Sequence, residues 1–184
     1  MTELSSATLR LATVDDYAGL ALLMKTCISA NYDALLSPEQ VQASFELMGV
    51  DTTLIEDQTF FVAEFERRIV ACGGWSQRAT LFGGNHTGGR NARLLDPNTE
   101  AARIRAMYTD PQFLRKGMAS KILKLSNDAA AAAGFKKLEL MSTAAGESLY
   151  QAQGFQVDER LLVATSGGVG VPLIRMSRQI VREA

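Results

Sequence analysis

Residues Ala102 to Gly134 constrain this chain more tightly than any other stretch, because several local signals agree there. Alternation from Ala102 to Thr109 predicts a strand, and Asp110-Pro111 ends it. A helix then opens at Gly117, with an apolar stripe of Met118, Ile122, Leu125, Ala129 and Ala132, and Gly134 stands where a helix-terminating glycine belongs. The alanine run at 129–133 reads as a small-residue packing face of high helix propensity rather than as low complexity. A strand that passes through a tight turn into a helix leaves unpaired amides converging on one point, where they and the helix dipole favour negative charge. Arg115 and Lys116 add positive charge at that point.

Such a local device matters because the chain as a whole offers no positive field. Its 184 residues carry 19 Lys plus Arg against 20 Asp plus Glu, a formal net charge of −1. That balance argues against nucleic acid or an anionic membrane as a partner. With 47% hydrophobic and 21% charged residues the chain is expected to fold, and its length predicts a single domain over residues 1–184. Cys27 and Cys72 have no CxxC or Cys/His cluster near them, so free thiols are expected, with no metal site. Met1 to Leu11 lacks an apolar signal core, and no apolar run is long enough to span a bilayer, which predicts a cytoplasmic protein.

The remaining elements follow from caps and periodicity. A short strand at Thr8 to Ala12 precedes a helix capped by Thr13, and Ser37-Pro38-Glu39-Gln40 is a capping box that starts a second helix. Thr59 to Ala63 and Ile69 to Cys72, joined by a polar turn, read as an antiparallel hairpin. Phe82 to Asn98, rich in glycine and aperiodic, reads as a long inserted loop. Lys136 to Ser142 reads as a strand and Gly146 to Gln153 as a short helix. Phe155 to Ala164 and Val171 to Ile180 read as two further strands. The expected fold is therefore α/β, with a mixed sheet.

Two familiar phosphate loops fail on inspection. There is no GxxxxGK[ST], and no GxGxxG follows the first strand. The turn instead resembles the pyrophosphate motif of the GNAT superfamily of acyl-CoA N-acyltransferases, Q/R-x-x-G-x-G/A, here Leu114-Arg115-Lys116-Gly117-Met118-Ala119. Leu149-Tyr150-Gln151-Ala152-Gln153-Gly154-Phe155 resembles a later motif of that family, and Gly170 to Met176 its closing strand. Gly73-Gly74-Trp75 and Leu81-Phe82-Gly83-Gly84 resemble a bacterial subgroup of small acetyltransferases. The resemblance spans nearly the whole chain. It implies a mixed, mostly antiparallel sheet of about seven strands flanked by about four helices.

Its functional implication is an acetyl-CoA-dependent N-acetyltransferase acting on a primary amine of a small molecule or peptide terminus by direct attack in a ternary complex. The alternative is a non-catalytic acyl-CoA-binding or regulatory module of the same fold. The resemblance places acetyl-CoA on Met107, Tyr108, Thr109, Leu114, Arg115, Lys116, Gly117, Met118, Ala119, Ser120 and Thr143. Leu114 replaces the family's Q/R, and Thr143 stands where many members carry Asn. Homodimers are a family habit, although no apolar stripe here compels one.

Aminolysis of a thioester needs a base, an oxyanion donor and an acid for the thiolate. Tyr150 is the acid by family position, against a core tyrosine bonded to backbone. The N–H of Met107 or Tyr108 is the oxyanion donor. Glu100 is the candidate base, against a solvated strand-end glutamate, and the single histidine, His86, is either a base or a surface residue. Arg103 and Arg105 share one strand face and require either an acidic partner or a carboxylate on the acceptor. Trp75 and Tyr32 are candidates to line an acceptor pocket, against ordinary packing.

Overall fold

The computed structural model describes residues 7–30 and 35–180, so Tyr32 lies outside the described residues. Thr8–Leu11 (β1) leads through a 3-10 turn at Val14–Asp16 into Tyr17–Ala30 (α1), followed by Pro38–Leu47 (α2) and Thr52–Glu56 (α3). Phe60–Phe65 (β2), Arg68–Ser76 (β3) and Ala102–Thr109 (β4) precede Met118–Ala132 (α4). Lys137–Ser142 (β5), Glu147–Ala152 (α5), Gln156–Ala164 (β6) and Gly170–Gln179 (β7) complete the order. The strands form one seven-stranded sheet in the order β1-β2-β3-β4-β5-β7-β6. The sheet expectation holds, whereas α3 was not foreseen. It is too short to show a period, and its signal is the cap, Asp51 accepting from the Thr53 N–H at 3.1 Å.

Local chemistry explains the elements. The Ser37 hydroxyl accepts from the Gln40 N–H at 3.2 Å, and the Gln40 side chain accepts from the Ser37 N–H at 3.0 Å, which completes the capping box. Glu66 and Arg67, with φ of 49° and 63°, form the two-residue turn between β2 and β3, a geometry that matches the strands' twist without glycine. The sheet is packed on both faces. Leu138, Leu140, Ile104, Trp75, Phe135 and Leu123 fill one side; Leu20, Met24, Leu54, Phe60 and Val62 fill the other. Trp75 is thus a core residue, edge-on to Phe135 at 6.1 Å, and not part of an acceptor pocket.

At the β1 end, Arg10 clasps Asp16 through two bonds of 2.7 and 2.8 Å, while Asp16 also accepts from the Thr13 N–H at 2.7 Å. The hydrogen bonds from Arg10, above all, hold the Asp16 carboxyl down at about 2 from its ordinary 3.8. A carboxyl depressed in the folded state stabilises the fold at pH above its unfolded value, and that contribution disappears as pH falls through about 2. Asp16→Asn is therefore expected to lower the melting temperature at neutral pH, with the gap to wild type closing between pH 4 and 2; calorimetry across that range checks it.

Among the described residues only one strand junction is parallel, and it governs the rest. β4 pairs with β5 at Ala102↔Leu138 and Arg103↔Glu139 and nowhere further along. Beyond Arg103 the two strands splay, which opens a wedge in the middle of the sheet. The β3–β4 register slips between Cys72 and Gly74, where Ala106 adopts φ of 52°, so β4 carries a bulge inside the wedge. Gly73 lies opposite, and a Cβ there would overlap the Met107 sulfur.

Candidate functional site

The wedge becomes a cleft of about 1040 Å³, walled by β4 from Ile104 to Thr109, the turn and start of α4 from Phe113 to Ser120, and Met141 to Thr143 with Ser148 to Tyr150. Its far wall is the end of α2, Gly49 and Leu81 to Gly83. Met107, Tyr108, Thr109, Leu114 to Ser120, Thr143 and Tyr150 are thereby brought together around one space.

At one end lies the strand-turn-helix segment. Asp110 accepts from the Gln112 N–H at 2.8 Å and from Arg68 at 2.9 Å, so the Asp-Pro pair caps a 3-10 turn over Pro111–Phe113. Arg115 and Gly117 then take left-handed φ of 61° and 77°, and the chain doubles back into α4. Among the described residues the N–H groups of Arg115 to Ser120 make no hydrogen bond within the protein; the next, that of Lys121, reaches the Gly117 carbonyl at 3.0 Å. The Lys116 ammonium sits 4.7 Å over the Phe113 ring. Open amides, a helix N-terminus and two cations make a receptor for a multiply charged anion. Leu114 is 55% exposed and contributes no polar group.

Along the cleft the β4 edge facing β5 has no strand partner past Arg103, so its peptide groups are free to pair with an extended ligand. Thr143 is half-buried opposite, its carbonyl engaged by the Gly146 N–H at 3.1 Å. Tyr150 lines the cleft and is buried, edge-on to Phe155 at 5.7 Å, and among the described residues no protein group bonds its hydroxyl. Burial pushes its phenol well above its ordinary 10, so it stays protonated throughout the neutral range. Tyr108, pushed up the same way, lies on the α1 side beside Cys27. Cys27 and Cys72 are both free thiols that donate to backbone carbonyls, Cys27 to Thr109 and Cys72 to Ala106, and burial raises both, Cys27 to about 12.

Two candidates fall away. Glu100 is not among the cleft residues; it is clasped by Arg93 at 2.7 and 2.9 Å and accepts from the Asp96 N–H. These bonds hold its carboxyl down at about 2 and tie it to Arg93 outside the cleft, which argues for a structural role. His86 binds the Phe45 carbonyl through Nε2 at 2.7 Å, which makes Nε2 the donor. With the Thr87 hydroxyl donating to the Glu46 carbonyl at 2.9 Å, it fastens the long loop to α2.

The paired arginines both find acidic partners. Arg103 bonds Glu139. Arg105, only 4% exposed, bonds Asp51 at 2.9 Å and the carbonyls of Thr80 and Gly83 at 3.0 and 2.7 Å. Asp51 also accepts from Arg90 at 2.6 Å. This cluster was not read from the sequence, since its members are scattered over the chain.

A family model described as an acetyltransferase (GNAT) domain matches residues 56–157. The fold is similar to a GCN5-related N-acetyltransferase of Rhodopseudomonas palustris, with TM-score 0.69 and 15% identity over 97% of this chain and 99% of that one. It is also similar to a putative acetyltransferase from Salmonella typhimurium solved with acetyl-CoA, with TM-score 0.64 and 19% identity over 98% and 97% of the two chains. The PaiA N-acetyltransferase from Thermoplasma acidophilum, in complex with coenzyme A, gives 0.62 and 14% over 95% and 99%. No curated protein matches the sequence.

Proposed function

The chain belongs to the acetyltransferase (GNAT) family, and from that premise we propose that it transfers an acetyl group from acetyl-CoA to a primary amine of a small molecule or peptide terminus, in a ternary complex. The observation that carries this reading is the run of unbonded amides from Arg115 to Ser120 at one end of a cleft whose middle holds an unbonded phenol. On this reading those amides, with Arg115 and Lys116, receive the diphosphate. The free edge of β4 at Met107 to Thr109, with Thr143 opposite, receives the pantetheine arm as a further strand. The cosubstrate supplies a thioester whose carbonyl carbon the amine attacks.

The chain's own groups do the rest. The bulge at Ala106 turns the β4 backbone so that the Met107 N–H can donate to the carbonyl oxygen as it gains charge. As the C–S bond breaks, Tyr150, kept protonated by burial, delivers its proton to the departing sulfur, and the proton shed by the attacking nitrogen passes to solvent, from which the phenol is reprotonated. The fit of a multiply charged cosubstrate in a chain of net charge −1 is supported by amides, which add nothing to the count of Lys and Arg.

Thiol release from acetyl-CoA across a panel of amines tests the reading. Acceptor-dependent release is expected, with acetyl-CoA raising the melting temperature and ATP and NAD leaving it unchanged. Stabilisation by acetyl-CoA without turnover of any amine would identify a non-catalytic binding module instead. Glu100→Gln is expected to change turnover by less than about twofold, because its carboxylate engages an exposed arginine away from the cleft. A loss of 100-fold would restore Glu100 as the base.

A further inference from the structure

We infer that the acceptor is an amine that also carries a carboxylate, as in a free amino acid, and that the buried cluster of Arg90, Arg105 and Asp51 selects it. The inference rests on the cleft reading above and adds the substrate's charge.

Of the three cluster residues, Arg105 is the one that lines the cleft. Arg105 and Gly83 both line the cleft, and Arg105 donates to the Gly83 carbonyl at 2.7 Å. One carboxylate, Asp51, serves two guanidinium groups, Arg105 at 2.9 Å and Arg90 at 2.6 Å. Asp51 and Arg105 have side chains 2% and 3% exposed, and Arg90 is 22% exposed with its Nη1 buried and unbonded. Counted by themselves, these three groups carry one positive charge in surplus, borne in part by the partly exposed Arg90. Among the described residues lining the cleft there is no Asp, Glu or His to offset it.

Position turns this charge into specificity. Arg105 precedes Met107 by two positions on β4, at most ~7 Å of strand, so an amine placed to attack near Met107 holds a neighbouring carboxylate within the cluster's field. Three of the five Arg105 N–H donors are already engaged, by Thr80, Asp51 and Gly83. The selection is therefore a field acting through the cleft wall, with no direct ion pair required. The same field repels a second ammonium group, which disfavours polyamines.

The test compares kcat/KM for matched pairs, several amino acids against their C-terminal amides, with spermidine as the dicationic probe, alongside the acetyl-CoA thermal shift. The expected result is about a tenfold preference for the carboxylate member of each pair, weakened by salt, and reduced to near parity in Arg90→Gln, which leaves Asp51 and Arg105 neutral as a pair. Equal rates, faster amides, spermidine as the best acceptor, or a preference unaltered in Arg90→Gln overturn the inference while acetyl-CoA still stabilises the protein. Failure of acetyl-CoA to stabilise the wild type would overturn the cleft reading itself. Should Arg90→Gln not fold, the salt dependence in the wild type decides: a preference independent of ionic strength rejects the field.

Discussion

Gly117→Glu is expected to abolish the thermal stabilisation by acetyl-CoA while the free protein stays folded. Gly117 has φ of 77°, and a Cβ built there meets nothing within 4 Å, so the side chain has room and the cost to the fold is backbone strain alone. That strain is ~1–2 kcal/mol, which for a domain of this size lowers the melting temperature by about 2–8 °C. The carboxylate, in contrast, stands among the open amides of Arg115 to Ser120, where two like charges would have to share one anion site. At a ligand concentration ~100 times Kd the wild type gains about 2.7 kcal/mol, and the variant loses all of it. Gly117→Ala separates the effects: it carries the same strain without the charge and keeps most of the ligand shift. Differential scanning fluorimetry with and without acetyl-CoA reads both variants. Full stabilisation of a folded Gly117→Glu protein would show that the anion binds elsewhere.

Tyr150→Phe is expected to lower kcat by about 10²-fold or more, with little change in the acetyl-CoA concentration needed for half-saturation. The phenol makes no bond to the described protein, so its removal strands no partner, and phenylalanine preserves the edge contact with Phe155 at 5.7 Å. A purely packing role would therefore leave both rate and stability nearly unchanged, and that outcome would refute the acid assignment. Because burial raises the phenol above 10, ionisation of Tyr150 places no alkaline limb on the rate below that pH. Steady-state kinetics of wild type and variant from pH 6 to 9 measure the loss, which should be the same at each pH.

Much of this was legible before any coordinates. The strand, Asp-Pro turn and glycine at 117 announce themselves because each obeys a local rule: alternation, a cap, a left-handed backbone. Ser37 and Gln40 identified the start of α2 for the same reason. Glu100 misled because a carboxylate near a strand end looks the same whether it faces a cleft or an arginine, and Arg93 is its partner only after the long loop folds back. Trp75 misled similarly, since an aromatic on a strand does not announce which face is covered. The bulge at Ala106 has no sequence signature at all, because alanine is an unexpected residue at φ of 52°.

Most of the order of elements, α3 excepted, and the strand-turn-helix geometry at residues 115–120 were determined by the sequence alone, since both depend on neighbours a few positions apart. Tertiary structure decided the rest. The wedge exists because β4 pairs with β5 over Ala102 and Arg103 only, and the buried ion-pair cluster exists because Asp51, Arg90 and Arg105 meet from distant segments. Such features arise from the register between strands and from which buried charges must share a partner, and no run of adjacent residues encodes either.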